Sequence, residues 1–471
     1  MYDPESMSRS KHIKSLRRIP QNSVVDDITS VHRAASLNVA DIESAHRFHV
    51  YCARFPSEIP LQAIKEYSKV GQIVFDPFCG SGTTLVAGLL MGRQVWGSDI
   101  DELASLLSWA KTHPDTEKAY DAFSNQYQKT LFETFESISD HIDHVTSNVT
   151  SAGEIRVNGY CLALPEFLPL TYWFPPKAVV GLAAISQYAA CRRKKTFRVA
   201  AELALSASII SKWPNTVSYA MDIDHTRPHR RIRRIGLSKV FSMYCGRLDR
   251  VLSALSALRR RYEGMGISNN LDQLAKVFPN MDARNLHQVS DESVDLIVTS
   301  PPYFDAVDYP RSHRFSLCWL NKPAPRYNRY IGLYRNSKLK LDEWLAGRAE
   351  FIKILPGKVR SDVAKGSKWV TFFEDLRLSL GEMYRVLVSG GTAVCVIADN
   401  QVGGVRIAAH QAMVHLSREC GFEVVHVSKR KIEPSKRRFP SGTFGFDGPM
   451  RHEHVIVIRR PPKSRIKKGQ G

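Results

Sequence analysis

The spacing of apolar residues changes character several times along the chain. Gln72 to Asp76 (QIVFD) is a short apolar run, the mark of a buried strand. Pro77-Phe78-Cys79-Gly80-Ser81-Gly82 follows as a glycine-rich turn, and Thr83 to Met91 (TTLVAGLLM) has helical spacing. Gln94 to Ser98 (QVWGS) reads as a second strand ending at Asp99. Together these predict a strand–turn–helix–strand unit of a parallel sheet, and hence an α/β fold.

The pattern then breaks. From 112 to 280 the chain reads as a mainly helical insert, with helices over Ala178 to Ala190 and Phe197 to Ser211 and an aromatic–proline cluster at Tyr172 to Pro176. Strand and helix patterning resumes near Asp282. Val294 to Thr299 (VDLIVT) predicts a buried strand ending in Ser300-Pro301-Pro302-Tyr303. A helix is expected over Trp369 to Leu387, a turn at Gly390-Gly391, a strand from Ala393 to Ala398, a helix from Val405 to Cys420, and closing strands at Phe422 to Ser428 and His454 to Arg459. The expected organisation is a polar arm (1–45), a first core half (46–111), the insert (112–280), a second core half (281–460) and a basic tail (461–471).

Composition adds a partner class. Lys plus Arg is 66 against 46 Asp plus Glu, a net charge of +20 over 471 residues. The basic residues cluster at Arg227 to Arg234 (RPHRRIRR), at Lys429 to Arg438 and in the tail from Arg459, as phosphate contacts require. Arg227, Arg230, Arg231, Arg233 and Arg234 are the candidate nucleic-acid-binding residues. The eight cysteines are scattered, with no CxxC pair and no zinc-ligand spacing, so no metal site is expected. No apolar run approaches a membrane span and the N-terminal stretch lacks a secretory core, which predicts a cytoplasmic protein without membrane contact.

Two segments carry chemistry. In the first, a Gly-x-Gly turn after a strand lets backbone approach a ligand and aims the next helix's amides at an anionic group. The third glycine of the dinucleotide fingerprint is absent, since Leu85 stands there, which argues against a dehydrogenase. Asp99, at the end of the next strand, is placed to hold ribose hydroxyls. In the second, the prolines of Ser300 to Tyr303 remove backbone donors and stiffen the chain, freeing carbonyls to accept from a ligand, while Tyr303 offers a flat face for stacking.

Taken together, the two segments resemble the amino-group DNA methyltransferases that modify cytosine N4 or adenine N6. Asp76 to Thr84 is similar to their cofactor motif and Ser300 to Tyr303 to their catalytic tetrapeptide. His49 to Pro60 (HVYCARFPSEIP) resembles the segment that closes over the methionine end of the cofactor, and Asp282 sits where the family places an acid near the adenine. The resemblance spans roughly 46–111 and 281–460, in the order cofactor motif, long insert, catalytic motif.

The resemblance implies a Rossmann-like methyltransferase sheet and S-adenosylmethionine as cofactor. It implies cofactor contacts from Asp76, Phe78, Cys79, Gly80, Ser81, Gly82, Thr83, Asp99 and Asp282. Asp76 is open to two roles, holding the cofactor's ammonium or shaping the turn. Ser300 Oγ and the Pro301 carbonyl would accept from the target amine, with Pro302 stiffening the loop, Tyr303 stacking on a flipped base, and Phe304 as a second wall. Ser at the first tetrapeptide position leans toward cytosine N4. The insert is expected to contribute to recognition of double-stranded DNA, the alternative being a structural or oligomerisation module. A cognate restriction endonuclease is a candidate partner. The competing functions are adenine-N6 methylation, an RNA base methyltransferase, and a non-catalytic DNA-binding protein that keeps the fold.

Overall fold

The computed structural model describes residues 39–142, 153–166, 170–211, 215–220, 235–304, 308–323, 330–331, 341–355, 357, 363–402, 405–432 and 452–463. The strands are β1 (Ile73–Asp76), β2 (Gln94–Asp99), β3 (Gly153–Val157), β4 (Tyr160–Leu164), β5 (Ala275–Pro279), β6 (Val294–Thr299), β7 (Leu387–Ile397), β8 (Asn400–Val402), β9 (Val405–Ile407), β10 (Glu423–Lys431) and β11 (His452–Arg459). Seven of them form one sheet in the order β10-β11-β7-β6-β1-β2-β5. β11 runs antiparallel to both neighbours, and the pairs β7–β6, β6–β1, β1–β2 and β2–β5 are parallel.

The central residues of β1 and β6 have no solvent-facing side, because helices cover both faces of the sheet, and the apolar runs Ile73–Phe75 and Leu296–Val298 follow from that. Val74, Leu296 and Val298 pack on one face with Leu85 and Leu89 of the helix Thr83–Leu90 and Ile64 of the helix Glu58–Tyr67. Ile73, Phe75 and Ile297 pack on the other with Leu376 of the helix Val363–Val386 and Met413 of the helix Ala409–Glu419. Burying each such side chain stabilises the fold by about 1.5–3 kcal/mol before entropy is counted. From β1 the chain crosses to β2 on one side, and from β6 to β7 on the other. A crevice therefore opens beyond the carboxyl ends of β1 and β6, where doubly wound sheets hold their ligands.

The insert is mainly helical, as its spacing predicts: Glu117–Ser139, Pro176–Ala190, Lys195–Ile209 and Leu237–Gly264 are helices, and β3 and β4 add a hairpin. It shares one apolar core with helices that pack beside the seven-stranded sheet. Leu182, Leu203 and Val240 belong to the same cluster as Leu103 and Leu107 of the helix Glu102–Thr112 and Phe315 of the helix Tyr309–Trp319. Ser206 Oγ also bonds to Ser316 Oγ at 2.9 Å and to His49 Nε2 at 2.8 Å.

Several expected boundaries shift. The sheet re-enters before 281, because Ala275–Pro279 pairs in parallel with β2. That strand's Lys276 and terminal Pro279 suit only an edge, and this hid it from an apolar-run reading. Val39–Ser44, inside the expected arm, is helical with Ile42 buried. Val405–Ile407 pairs with β8 instead of starting the helix, which begins at Ala409. Residues 1–38, 433–451 and 464–471, with most of the predicted arm, the 433–438 basic residues and the end of the tail, lie outside the described residues. Among the described residues no helix is long and apolar enough to cross a membrane.

Candidate active site

The crevice at the carboxyl ends of β1 and β6 is a cleft of about 810 Å³, mouth included. One part of its wall is Asp76, Phe78, Cys79, Gly80, Ser81 and Thr83 with Asp99 and Asp282, and another is Ser300 and Pro302. The two segments, far apart in sequence, thus share one cavity. They are also bonded to each other: Thr299 Oγ1 donates to Asp76 Oδ1 at 2.6 Å, and the same oxygen accepts from Phe78 N at 3.0 Å. Of the residues expected in the site, Gly82, Pro301 and Tyr303 do not form part of the cleft wall. Arg227, Arg230, Arg231, Arg233 and Arg234 lie outside the described residues.

The turn is built on local geometry. Gly82 N donates to Cys79 O at 2.7 Å and Cys79 N to Ser98 O at 2.9 Å, closing a tight bend against β2. Gly80 and Gly82 have φ of 49° and 83°, left-handed values that side chains disfavour. A Cβ on Gly82 would meet Ser108 Oγ at 2.9 Å and Ser108 Cα at 3.1 Å, so this glycine makes room for the helix Glu102–Thr112 and not for a ligand. Gly80 is the one that faces the cleft, where a Cβ would come 3.2 Å from the Tyr51 ring. Behind the turn, Lys111 Nζ donates to Ser81 O at 2.6 Å and lies 2.8 Å from His46 Nδ1, and burial lowers the pKa of both side chains.

Acidity concentrates on one side. Asp99 Oδ2 accepts from Gly80 N and Asp99 Oδ1 from Asp101 N, each at 2.9 Å. Burial, with the neighbouring Asp101 carboxylate adding to it, pushes the Asp99 carboxyl up to about 7. Burial likewise pushes Asp76 up to about 6, against the opposing bonds from Thr299, Thr84 and Phe78. Asp101 caps the helix Glu102–Thr112 through Leu103 N, and accepts from His313 Nδ1 at 2.9 Å and Tyr330 OH at 3.0 Å. Burial alone would raise its pKa, but His313 and these hydrogen bonds hold it below the ordinary aspartate value. Asp282 is held by Arg284, whose guanidinium bridges to it and to Asp375 at 2.7 Å each.

This donor set fits S-adenosylmethionine. Burial raises the pKa of both Asp76 and Asp99, and a cation arriving beside them favours their ionised forms, which suits a sulfonium and an ammonium. Phe78, Ile100, Met281 and Ile331 supply apolar wall for a flat base, and Asp99 lies where ribose hydroxyls can donate. Tyr51, Ala53, Arg54 and Phe55 bring the predicted segment from His49 to Pro60 to the same cavity.

On the second wall, Ser300 Oγ has two acceptors in reach, Val396 O at 3.3 Å and the Tyr303 oxygen at 3.4 Å. With its proton directed to either one, its lone pairs are left for an incoming donor. Tyr303 packs against the core beneath the loop, and burial together with Glu453 raises its pKa. Phe304 is not a second wall. It is buried and stacks on Trp369 with ring centroids 3.5 Å apart, as core. The aromatic residues in the cleft are Tyr51, Phe55, Phe78, Tyr309 and Tyr330. Tyr309, Asp101 and His313 carry no sequence signal, since no motif spacing links them, whereas Tyr51 lies in the segment His49 to Pro60 that the sequence singles out.

Comparison with known proteins agrees with this geometry. A family model described as DNA methylase matches residues 5–107. The chain is 24% identical over 432 residues to the type II methyltransferase M.MvaI of Kocuria varians, covering 85% of this chain and 87% of that one. It is 38% identical over 64 residues to the type II methyltransferase M.MjaI of Methanocaldococcus jannaschii, covering 14% of this chain and 21% of that one. TTHA0409 of Thermus thermophilus, solved with S-adenosyl-L-methionine, matches at 20% identity over 40% of this chain and 56% of that chain, with a TM-score of 0.22. The family match at residues 5–107 and the likeness to a type II methyltransferase over most of the chain support the amino-group DNA methyltransferase family, with S-adenosylmethionine as the cofactor.

Proposed function

We propose that this chain methylates the exocyclic amine of a flipped base in double-stranded DNA, with cytosine N4 as the target. The observation that carries the reading is that Ser300 and Pro302 share a cleft with Gly80 and Asp99, stitched together by the Thr299–Asp76 bond. S-adenosylmethionine, when bound, supplies a methyl group already activated by its sulfonium. What remains for the chain is to hold the cofactor and to aim and polarise the amine.

An exocyclic amine is a weak nucleophile because its lone pair is conjugated with the ring. Ser300 Oγ, on the cleft wall, accepts an N–H of the amine, which helps to localise the lone pair and stabilises the positive charge that develops on nitrogen. Pro301 and Pro302 keep the loop extended and donor-free, so no backbone N–H competes. Asp99 holds the ribose and the Gly80 turn the adjacent part of the cofactor, which fixes the methyl donor against the amine. The base leaves the duplex to reach the cleft, where Tyr309 is one of the aromatic residues on the wall that can receive its face, with Tyr303 positioning Ser300 from below. The preference for cytosine rests on Ser300, since family members with Asp or Asn at this place lean toward adenine.

The test is duplex DNA incubated with isotopically labelled cofactor, digested to nucleosides and resolved by mass spectrometry. Labelled N4-methylcytosine is expected. Labelled N6-methyladenine would overturn the choice of base and leave the chemistry standing. Label in RNA alone, or tight DNA binding with no label at all, would overturn the enzyme reading.

A further inference from the structure

We propose that Asp399, His410 and His454 form a binding site for one transition-metal ion of the zinc class, apart from the methyl-transfer cleft. Their candidate ligand atoms all lie within 4.8 Å of one another. Asp399 follows the carboxyl end of β7, His410 is the second residue of the helix Ala409–Glu419, and His454 is on β11, paired in register with Ile397 of β7. Three elements distant in sequence thus bring one carboxylate and two imidazoles to a single point.

The distances suit a metal. Asp399 Oδ1 lies 2.6 Å from His410 Nδ1 and 3.9 Å from His454 Nδ1. Ligands on a tetrahedral zinc ion sit about 2.0–2.2 Å from the metal, so two of them are about 3.3–3.6 Å apart. The observed pairs bracket that separation, the first drawn in by a hydrogen bond and the second slightly wide. The imidazoles are stacked, with centroids 3.8 Å apart and planes 12° from parallel, so binding one ion through both nitrogens requires the rings to rotate out of this stack. Capping of the helix by Asp399, which also accepts from His410 N at 3.3 Å, accounts for the first two residues. It does not call for a second imidazole within reach of the same oxygen.

Two nitrogens and one carboxylate oxygen select zinc, cobalt, nickel or copper over magnesium or calcium. The side chains of Asp399 and His410 are 7% and 17% exposed, which leaves a path for the ion and a position for water. Binding replaces the hydrogen bond between His410 Nδ1 and Asp399, with the ring proton moving to Nε2. The bound ion ties the ends of β7 and β11 to the helix, and β7 carries the Val396 carbonyl that faces Ser300.

The experiment uses the full chain, stripped with a chelator and dialysed. Zinc is titrated by calorimetry, cobalt(II) by its visible absorption, and Tm is followed with and without zinc. One ion per chain, a tetrahedral cobalt spectrum and a raised Tm are expected. H454A and D399N should each weaken zinc binding at least tenfold and remove the Tm rise. H410A, at the start of a helix, carries the same test if H454A does not fold. Absence of stoichiometric binding in the unmodified chain, or binding that persists through H410A and D399N, would overturn the proposal.

Discussion

Asp99 accepts a hydrogen bond from the Gly80 amide at 2.9 Å, which ties the last residue of β2 to the glycine turn that follows β1. Burial holds its carboxyl at about 7, so this contact is made by a group that is half-protonated near neutral pH.

A pH dependence follows from that carboxyl. In the free protein its pKa lies above the unfolded value of about 3.9. Its contribution to stability is therefore complete below about pH 4 and is lost as pH rises through 7. Cofactor binding runs the other way, because ribose hydroxyls donate best to the ionised form. Affinity for S-adenosylmethionine should rise between pH 6 and 8, by up to about tenfold per unit on the acid side. At pH 7 binding should release up to about half a proton, seen as a buffer-dependent calorimetric enthalpy. D99N should bind weakly and lose this step, leaving only the lower one from Asp76 near 6. An affinity in the unmodified protein that is flat across this range would remove Asp99 from the cofactor site.

At Ser300, loss of the hydroxyl removes one acceptor for the target amine and leaves the cofactor wall intact. S300A should slow methyl transfer by about 10²–10³ while cofactor affinity changes little. Y303F is the companion variant, since Y303A would also open a cavity under the loop. It keeps the packing and removes the oxygen 3.4 Å from Ser300 Oγ, so a smaller loss of rate is expected. Single-turnover rates with labelled cofactor decide the matter, and S300A turnover near that of the unmodified chain would place the chemistry elsewhere.

The two glycines of the turn should fail in different ways. G82D adds a side chain at φ 83° whose Cβ meets Ser108, backbone included, so the helix itself would have to move. Left-handed strain and overpacking together cost about 2–4 kcal/mol. A fall in Tm should accompany its loss of cofactor binding. G80A brings a methyl group 3.2 Å from the Tyr51 ring in the cleft, and should weaken cofactor binding with less effect on Tm. Thermal melts and cofactor titrations of both variants check this. Equal Tm losses would mean that the two positions share one structural role.

DNA affinity should divide between the tail and the insert. Arg460 donates to the backbone carbonyls of Tyr384 and Leu387, and Lys463 pairs with Glu292, so the chain is anchored through 463. Truncation after Lys463, which spares these contacts, should lower affinity and flatten its salt dependence while the methylated motif stays the same. Replacing Arg230, Arg231, Arg233 and Arg234 together should weaken binding more and relax the motif if any of them reads a base edge. Salt-dependent affinity and motif mapping on each variant provide the measurement. A motif altered by the truncation and unaltered by the arginine variant would move recognition out of the insert.

By itself the sequence determined the strands β1, β2, β6 and β7, the turn between Asp76 and Thr83, and the loop from Ser300 to Tyr303. The reason is local. A strand covered on both faces must be an unbroken apolar run, a left-handed turn selects glycine, and a donor-free loop selects proline. The order of the two segments and the excess of positive charge are equally one-dimensional facts. Only the tertiary structure decided how they meet. The Thr299–Asp76 bond joins residues on adjacent strands that the sequence holds far apart. Gly82 faces Ser108 instead of the cleft, and Phe304 stacks into the core on Trp369, because packing with distant helices sets the direction of each. Tyr51, Asp101 and the helix that carries Tyr309 and His313 reach the site or its support from separate parts of the chain, and β5 joins the sheet as a short edge strand whose Lys276 and Pro279 interrupt its apolar run. Contacts of this kind depend on which side chains share a volume after the chain closes, and apolar spacing along the chain carries no record of that.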